Sequence, residues 1–473
     1  MSQENQPGTS IKIGVRTFVT SAVILLLLMI AAGILTRVIP PGAYERATVA
    51  GVTTILPDSF SYTAQSPLPV WRWFTAPVEV LASSDGAMVI VIILFLLILS
   101  ASFSILNHCR VIHHLINRVV ARYGHRKYMV LCAISLLFMA LGSFVGIFEE
   151  SVLLVPIAIA LALSLGWDKL TGLGMSLLAV GFGFASGVMN PFTVGVAQRI
   201  AELPLFSGIP YRLLVFVLIY GVLALFLVRH AKKVEKKTMV AKAAIPDVAA
   251  EDAERLGKAA RWFTGAILLI VVLVVIFAQT GLSDYSLPVV ALLFLTGGIG
   301  AGRIAGLRGK ALWKVMGRGI ADVAPGILLI LLAVSVKYIM SESGTIDTLM
   351  YYAADRITQA GRGAASLGMY LVVLVLNFFI GSASAKAFLV MPVLAPLADL
   401  SHLTRQTAVL AFAFGDGYSN VFFPTNAVLL IGLGLAGIGY GKWFKFTWAL
   451  QLITLVLTGG LLLLATAIGL GPY

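Results

Sequence analysis

Two pairs of segments decide the fold of this chain: FEESVLLVP at residues 148–156 with GFASGVMNPFT at 183–193, and SAKAFLVMP at 384–392 with GDGYSNVFFPTN at 415–426. In each pair a charged residue precedes a proline by six positions, and farther along a serine precedes a second proline by five. The second prolines lie in apolar stretches, where proline interrupts a helix. Interrupted polar segments at matching places in two hydrophobic halves are typical of the central site of a secondary transporter.

The composition places the rest of the chain in a membrane. Of the 473 residues, 59% are hydrophobic and 12% are charged, and the mean hydropathy is +0.97, which is more apolar side chain than a water-soluble core can bury. Apolar runs of about 20 residues are long enough to cross a bilayer as helices. The first run, from about Thr17 to Leu35, has no small-residue cleavage pattern behind it, so we predict an uncleaved span and not a signal peptide.

The charge and the cysteines argue against several other classes of protein. The formal net charge is +13, but the basic residues lie in short loops between apolar runs, so we predict a lipid bilayer and no nucleic acid as a partner. Cys109 and Cys132 are the only cysteines, too few for a disulfide framework or a zinc site. We expect no cofactor beyond a coupling ion.

The pattern predicts an all-α integral membrane protein of two inverted-topology repeats, each with a helical hairpin and a broken transmembrane helix, and about 10–12 membrane helices in all. The first repeat with its N-terminal span covers residues 1–228, a charged cytoplasmic linker covers 229–262, and the second repeat covers 263–473. Because Lys12 and Arg16 flank the first span, we predict a cytoplasmic N-terminus. Most Lys and Arg residues then face the cytoplasm, whereas Arg212 falls on an outer segment. Whether the hairpins cross the bilayer or re-enter it stays open.

We expect the side chains at the two hairpin tips and the two helix breaks to line the substrate site. A break frees N–H groups and carbonyl oxygens that can face an anionic group or a cation. A Ser or Thr in a membrane helix commonly donates its hydroxyl to a backbone carbonyl of its own helix or to a neighbouring helix. The clustering of polar residues at two helix breaks is what favours contact with a ligand here. The predicted substrate-binding residues are Glu149, Glu150, Ser151, Ser186, Asn190, Thr193, Ser384, Lys386, Asp416, Ser419, Asn420, Thr425 and Asn426. Na+ is predicted near Ser186, Asn190, Ser419 and Asn420.

The charged residues inside the membrane are the most informative, because an unpaired ion near the bilayer centre costs about 2.5–3.5 kcal/mol on insertion scales. Glu150 and Lys386 occupy equivalent tips, so we predict that they approach each other across the pseudo-twofold centre. This pair is either a structural salt bridge or a functional one, in which Lys386 fills a cation position while Glu149 or Glu150 takes up protons. We expect Lys337 to extend toward the outer interface. Because the tip acids and Asp416 outnumber Lys386, the site favours cations, protons or an amino group over a dianion.

Several short motifs carry a resemblance to a known family. They are EE at 149–150, GFAS at 183–186, MNPF at 189–192, VAQ at 196–198, MPVLAPL at 391–397, RQ at 405–406 and FGDG at 414–417. With them the chain resembles the YfcC-like transporters of the anaerobic C4-dicarboxylate carrier (DcuC-like) group, in the ion transporter superfamily. The resemblance implies a dimeric carrier with two inverted repeats that moves small carboxylates or amino acids across the cytoplasmic membrane. Lys386 is a departure from the family pattern, since related chains can carry a neutral residue such as glutamine at this position.

We therefore predict a multi-pass transporter of the bacterial cytoplasmic membrane, a homodimer that moves a small amino acid or carboxylate by alternating access, coupled to Na+ or H+. The alternatives are an exchanger of basic amino acids of the arginine/ornithine type and a C4-dicarboxylate carrier. A channel is more remote, because paired broken helices suit alternating access better than a continuous pore. We expect no enzyme activity, since Asp416 has no second aspartate in the context that intramembrane aspartyl proteases use.

Overall fold

The computed structural model describes residues 15–49, 52–56, 59–64, 68–238, 250–280, 282 and 285–471. Within these ranges, eleven helices are long and apolar enough to cross a membrane. The prediction of an all-α membrane protein with 10–12 membrane helices is confirmed. Lys12 and the middle of the predicted linker, residues 239–249, lie outside the described residues.

The first half of the chain contains helices α1 to α10. They are α1 (Val15–Val38), α2 (Val70–Glu79), α3 (Gly86–His108), α4 (Val111–Tyr123), α5 (Lys127–Ala140), α6 (Val155–Ser164), α7 (Lys169–Leu173), α8 (Ala179–Ser186), α9 (Val196–Ile200) and α10 (Ile209–Thr238). Short 3-10 turns extend them at Val80–Ala82, Gly124–Arg126 and Glu150–Leu154. Wider π-helical turns, which are frequent at functional sites, lie at Leu141–Val145, Gly174–Leu178 and Pro191–Gly195.

The second half contains helices α11 to α19. They are α11 (Ala250–Thr280), α12 (Ser286–Ile304), α13 (Gly309–Glu342), α14 (Thr345–Thr358), α15 (Arg362–Phe379), α16 (Ala383–Leu400), α17 (Arg405–Gly417), α18 (Ala427–Ala436) and α19 (Tyr440–Ala467). Because α10 runs on to Thr238 and α11 begins at Ala250, both ends of the predicted linker 229–262 are helical. The division of the chain at residues 228 and 262 stays a prediction.

The same order of elements occurs in both halves. In the first half, α5 and α6 form a hairpin, and the helix built from α7, α8 and α9 follows with an interruption after α8. In the second half, α15 and α16 form the hairpin, and α17 and α18 form the interrupted helix. This repetition agrees with the matching sequence segments, whereas the opposite orientation of the two halves stays a prediction.

A small β-strap, which the sequence pattern did not predict, connects α1 to α2. Its strands are β1 (Gly42–Ala43), β2 (Arg46–Val49), β3 (Val52–Ile55) and β4 (Ser61–Tyr62), and β1 pairs with β4 and β2 with β3, both antiparallel. Asp347 of α14 holds the strap, since its carboxylate accepts from the Tyr44 amide at 3.1 Å and from the Arg46 guanidinium at 3.0 Å. The strap is therefore fixed against the second half of the protein.

The interrupted helices form the centre of the molecule. Every residue of α8 is buried, and so is every residue of α17 after Arg405. By contrast, α11 exposes large apolar side chains such as Leu268 and Val272, as expected for a helix that faces lipid. The two breaks thus lie at the middle of the protein, surrounded by the hairpins.

Candidate functional site

The first helix break lies between α8 and Pro191. After α8 ends, Gly187 adopts a left-handed conformation (φ 49°) that glycine tolerates without strain. Pro191 has no N–H with which to continue the helix. Asn190 caps the turn that follows, because its Oδ1 accepts from the next two backbone amides at 2.9 and 3.3 Å. The predicted break is present, and Asn190 stabilises its far side.

The second helix break lies between α17 and α18. α17 ends at Gly417, a short turn covers Tyr418–Val421, and α18 begins at Ala427. Asn426 caps α18, because its Oδ1 accepts from two amides of that helix at 3.0 and 3.2 Å. Asn190 and Asn426 therefore have the same structural role, and the amide oxygens predicted to meet a ligand bond backbone instead.

The two breaks meet where α8 and α17 cross. Gly417 packs directly on Ala185, and a Cβ at Gly417 would lie only 2.2 Å from the Ala185 Cα. Beside this contact, the Ser186 hydroxyl lies 3.2 Å from the Tyr418 hydroxyl and donates to the Phe182 carbonyl at 2.8 Å. The structure thus brings Ser186 of the first break against the second break, as the sequence predicts for a shared site.

A fully buried ion pair lies at the second break. Lys386, near the start of α16, donates from Nζ to Asp416 Oδ1 at 2.5 Å, and neither side chain is exposed to solvent (0% each). Nζ also donates to Asn377 Oδ1. The other carboxylate oxygen, Asp416 Oδ2, is buried and has no hydrogen-bond partner in the described part of the chain. Lys386 therefore neutralises Asp416 but leaves one of its oxygens available.

Asn377, at the end of α15, joins this ion pair to the second break. Its Nδ2 lies 2.7 Å from the Asp416 carbonyl, 2.6 Å from Ser419 Oγ and 3.1 Å from Asn420 Oδ1. Asn420 Oδ1 also accepts from Asn426 Nδ2 at 3.2 Å. The sequence analysis missed Asn377, although an amide in an apolar membrane helix is a recognised sign of an interhelical contact.

At the first hairpin tip, Glu150 contacts a partner that was not predicted. Glu150 Oε1 accepts from the Ser286 hydroxyl at the start of α12, at 2.5 Å. The predicted approach of Glu150 to Lys386 is wrong, because Lys386 turns toward α17, where Asp416 is buried beside it. Both tip acids are half-buried, and neither forms an ion pair with any described residue.

The remaining predicted residues are hydroxyls with different environments. Ser151 and Thr425 each donate to a backbone carbonyl of a tip at 2.6 Å. Ser384 of the second tip donates across to the first break, to a carbonyl 3.4 Å away. The Thr193 hydroxyl, like Asp416 Oδ2, is buried and unpaired within the described ranges. Since buried polar atoms are normally paired, each break presents an atom suited to a ligand.

Arg212 is a buried cation that the sequence analysis placed on an outer segment. Its side chain extends from the start of α10 and the residue is only 1% exposed. Nε and Nη2 donate to the Val188 carbonyl of the first break at 3.3 and 3.2 Å, and Nη2 also donates to the Phe206 carbonyl at 3.2 Å. No acid among the described residues pairs with it. No sequence signal indicates this burial, because an arginine near a helix end ordinarily faces water.

A cavity of about 360 Å³ lies beside the second hairpin tip. Residues that line it include Arg46, Lys337, Asp347, Ile380, Ala385 and Phe388. Lys337, which was expected to extend toward the outer interface, donates to Asp85 Oδ2 at 2.5 Å, at the start of α3. Because Arg46 belongs to the β-strap and Ala385 to the start of α16, the cavity lies between the strap and the tip that carries Lys386.

Comparisons with known proteins agree on the class of this chain. The sequence profile of a family described as "C4-dicarboxylate anaerobic carrier" matches residues 18–467. A protein of Escherichia coli (strain K12) named "Putative basic amino acid antiporter YfcC" is 29% identical over 370 residues, which are 75% of this chain and 73% of that protein. An uncharacterized protein of Haemophilus influenzae is 25% identical over 389 residues, which are 80% of this chain and 75% of that protein.

A solved structure is also similar over nearly the whole length. The crystal structure of the YdaH transporter of Alcanivorax borkumensis, described as having an unusual topology, matches with a TM-score of 0.45 and 19% sequence identity. The match covers 97% of this chain and 100% of that one.

Proposed function

The chain belongs to the family of C4-dicarboxylate anaerobic carriers, and we propose that it is a secondary active transporter that moves a small amino acid or carboxylate by alternating access. One observation supports this most directly: two interrupted helices cross at the centre and carry unpaired buried atoms, Thr193 Oγ1 and Asp416 Oδ2. In a bilayer an interrupted backbone is stable only where it contacts protein, water or a ligand. The crossing of the two breaks is therefore the proposed transport site.

The charges around this site favour a substrate with an amino group. Lys386 neutralises Asp416 and Arg212 at the first break offsets one of the two tip acids, so a net negative charge remains at the site when Glu149 and Glu150 are both ionised. A net negative site attracts cations, protons or an ammonium group. The Phe148 ring, next to these acids, packs on the Phe184 ring of α8 with ring centroids 5.5 Å apart, so the acidic tip lies beside the first interrupted helix. We therefore assign the substrate amino group to the side of the first tip.

The substrate carboxylate is assigned to the start of α16. Asn190 and Asn426 already accept from the amides that follow the two breaks, so those donors are occupied. At the start of α16 the side-chain cap is a weak one, in which the Ala385 amide donates to Ser382 Oγ at 3.4 Å. Helix N-termini carry a partial positive charge that stabilises anions. The cavity between the β-strap and this tip gives a carboxylate a path to these amides.

Exchange of basic amino acids is the second candidate. Two acids at the first tip suit the second positive charge of such a substrate, and the E. coli relative has this activity in its name. A C4-dicarboxylate, which the family description names, requires Glu149 and Glu150 to be protonated. Two coupling ions are candidates at this stage: Na+ near Ser186, Asn190, Ser419 and Asn420, and protons on the tip acids. We place the protein in the bacterial cytoplasmic membrane as a homodimer with its N-terminus in the cytoplasm.

Counterflow in proteoliposomes tests the proposal. Purified protein is reconstituted with unlabelled substrate inside, and uptake of labelled arginine, ornithine, aspartate and succinate is measured with and without ion gradients. We expect saturable counterflow of an amino acid, and we expect E149Q and E150Q to reduce it most for cationic substrates. The matched control is E254Q, which neutralises an exposed glutamate of α11 that pairs with Lys258. Absence of counterflow for the whole panel contradicts the proposal, and preference for succinate contradicts the charge argument.

A further inference from the structure

Each helix break holds a cation that belongs to the protein itself. At the first break Arg212 donates to the Val188 carbonyl, and at the second break Lys386 pairs with Asp416. We propose that these two side chains permanently fill the positions at which a broken membrane helix otherwise binds Na+, so that transport does not depend on Na+. This inference rests on the proposed function, because it takes the two helix breaks to be the transport site.

At the first break the guanidinium stands where a metal cation would be stabilised. The C-terminal end of a half-helix is partially negative and its loose carbonyls attract cations, and α8 ends at this point. The Val188 carbonyl accepts two N–H groups of Arg212, at 3.3 and 3.2 Å. A guanidinium keeps its charge at any physiological pH. Arg212 therefore satisfies the Val188 carbonyl, two residues after α8 ends, with a fixed positive charge.

At the second break the side-chain oxygens predicted to bind Na+ are engaged, and the one unpaired carboxylate oxygen, Asp416 Oδ2, belongs to a carboxylate that Lys386 already neutralises. Lys386 Nζ occupies Asp416 Oδ1 and Asn377 Oδ1. Ser419 Oγ and Asn420 Oδ1 face the Asn377 amide nitrogen at 2.6 and 3.1 Å. A sodium ion at this break would have to displace these contacts and then lie next to a buried positive charge, which is unfavourable at low dielectric. The positive charge of Lys386 therefore opposes Na+ at the second break, although Asp416 Oδ2 is unpaired.

The oxygens predicted to bind Na+ at the first break are likewise used by the protein. The Ser186 hydroxyl contacts the Phe182 carbonyl and the Tyr418 hydroxyl, and Asn190 Oδ1 caps the backbone after the break. With both cation positions filled, coupling is left to protons on the tip acids or to exchange of one substrate for another. Removing either protein cation should create a Na+ site where none exists in the natural chain.

Binding of radioactive Na+ to the purified protein tests this inference without requiring transport. We expect no saturable binding to the natural chain, and millimolar binding to R212Q and K386Q, because each variant leaves cation-seeking oxygens free. R212K retains the charge and should bind no Na+. K386Q/D416N removes both charges, so this variant should bind no Na+ either. It contains no unpaired buried charge, and it therefore provides a folded comparison if K386Q alone unfolds. R199Q and K442Q, which neutralise exposed cations, are the matched controls.

Transport gives the second readout. We expect counterflow by the natural chain to be equal in Na+ and in choline buffer, and counterflow by R212Q and K386Q to rise with Na+. Saturable Na+ binding to the natural chain, or failure of both variants to acquire it while they remain folded, overturns the inference. If the natural chain shows no counterflow for any substrate, the proposed function fails, whereas the binding measurement still decides whether the breaks accept Na+.

Discussion

Replacing Lys386 with glutamine should destabilise the protein by about 3–5 kcal/mol in Na+-free buffer, because removal of one partner of a buried ion pair leaves an uncompensated charge. The structure indicates a loss of stability near the upper end of this range. Both side chains are fully buried and their N–O distance is 2.5 Å. Asp416 Oδ2 already lacks a partner, so the carboxylate loses its one ionic contact. Glutamine can still bond Asn377, but it brings no positive charge.

The matched control is the ion pair between Lys337 and Asp85. It has the same N–O distance of 2.5 Å, but its side chains are 22% and 40% exposed. Exposed pairs contribute less than about 1 kcal/mol, so K337Q should cost correspondingly little. The double variant K386Q/D416N should recover most of the loss of K386Q, since no buried charge remains.

The free energy of unfolding is measured by titrating the micellar protein with sodium dodecyl sulfate in choline buffer and following tryptophan fluorescence. The four variants K386Q, D416N, K386Q/D416N and K337Q are compared with the natural chain. The reasoning is refuted if K386Q costs no more than K337Q, or if the double variant loses as much stability as the two single variants together.

Three further predictions follow from the breaks and the strap. N426A should cost about 1 kcal/mol of stability through loss of the α18 cap, whereas N426S, whose neutral hydroxyl can accept from the same amides, should retain most of that stability; thermal unfolding in detergent compares the two variants. G417A would place a Cβ 2.2 Å from the backbone of α8, so it should abolish counterflow or folding. G441A is the control, because a Cβ at this position has no neighbouring atom within 4 Å, and it should leave both unchanged. D347N removes the carboxylate that holds Arg46, so trypsin should cleave after Arg46 faster than in the natural chain; equal cleavage rates would contradict the role of this contact.

Features that depend on local backbone chemistry were predictable from the sequence. Pro191 lacks an amide hydrogen and Gly187 tolerates a left-handed backbone, so the first break could be placed without any tertiary information. The membrane class followed in the same way from the length and composition of the apolar runs. The β-strap was missed because short strands rest on contacts with α14, which the local pattern does not contain.

Side-chain pairings were not predictable, since they depend on how separate helices pack. The equivalence of the two tips suggested that Lys386 meets Glu150, but the turn of α16 places it against Asp416. Asn377 gained its role only because α15 ends beside the second break. Arg212 is near a helix end in the sequence, and only the packing of α10 against the first break shows that it is buried.

The sequence by itself therefore determined that the chain is a membrane protein with two matching halves and a helix break in each, because proline, glycine and apolar runs act through their own stretch of backbone. The tertiary structure alone decided which charges neutralise each other and which stay unpaired at the crossing. A buried charge takes the partner that packing brings within a few ångströms, and in this protein those partners come from different helices.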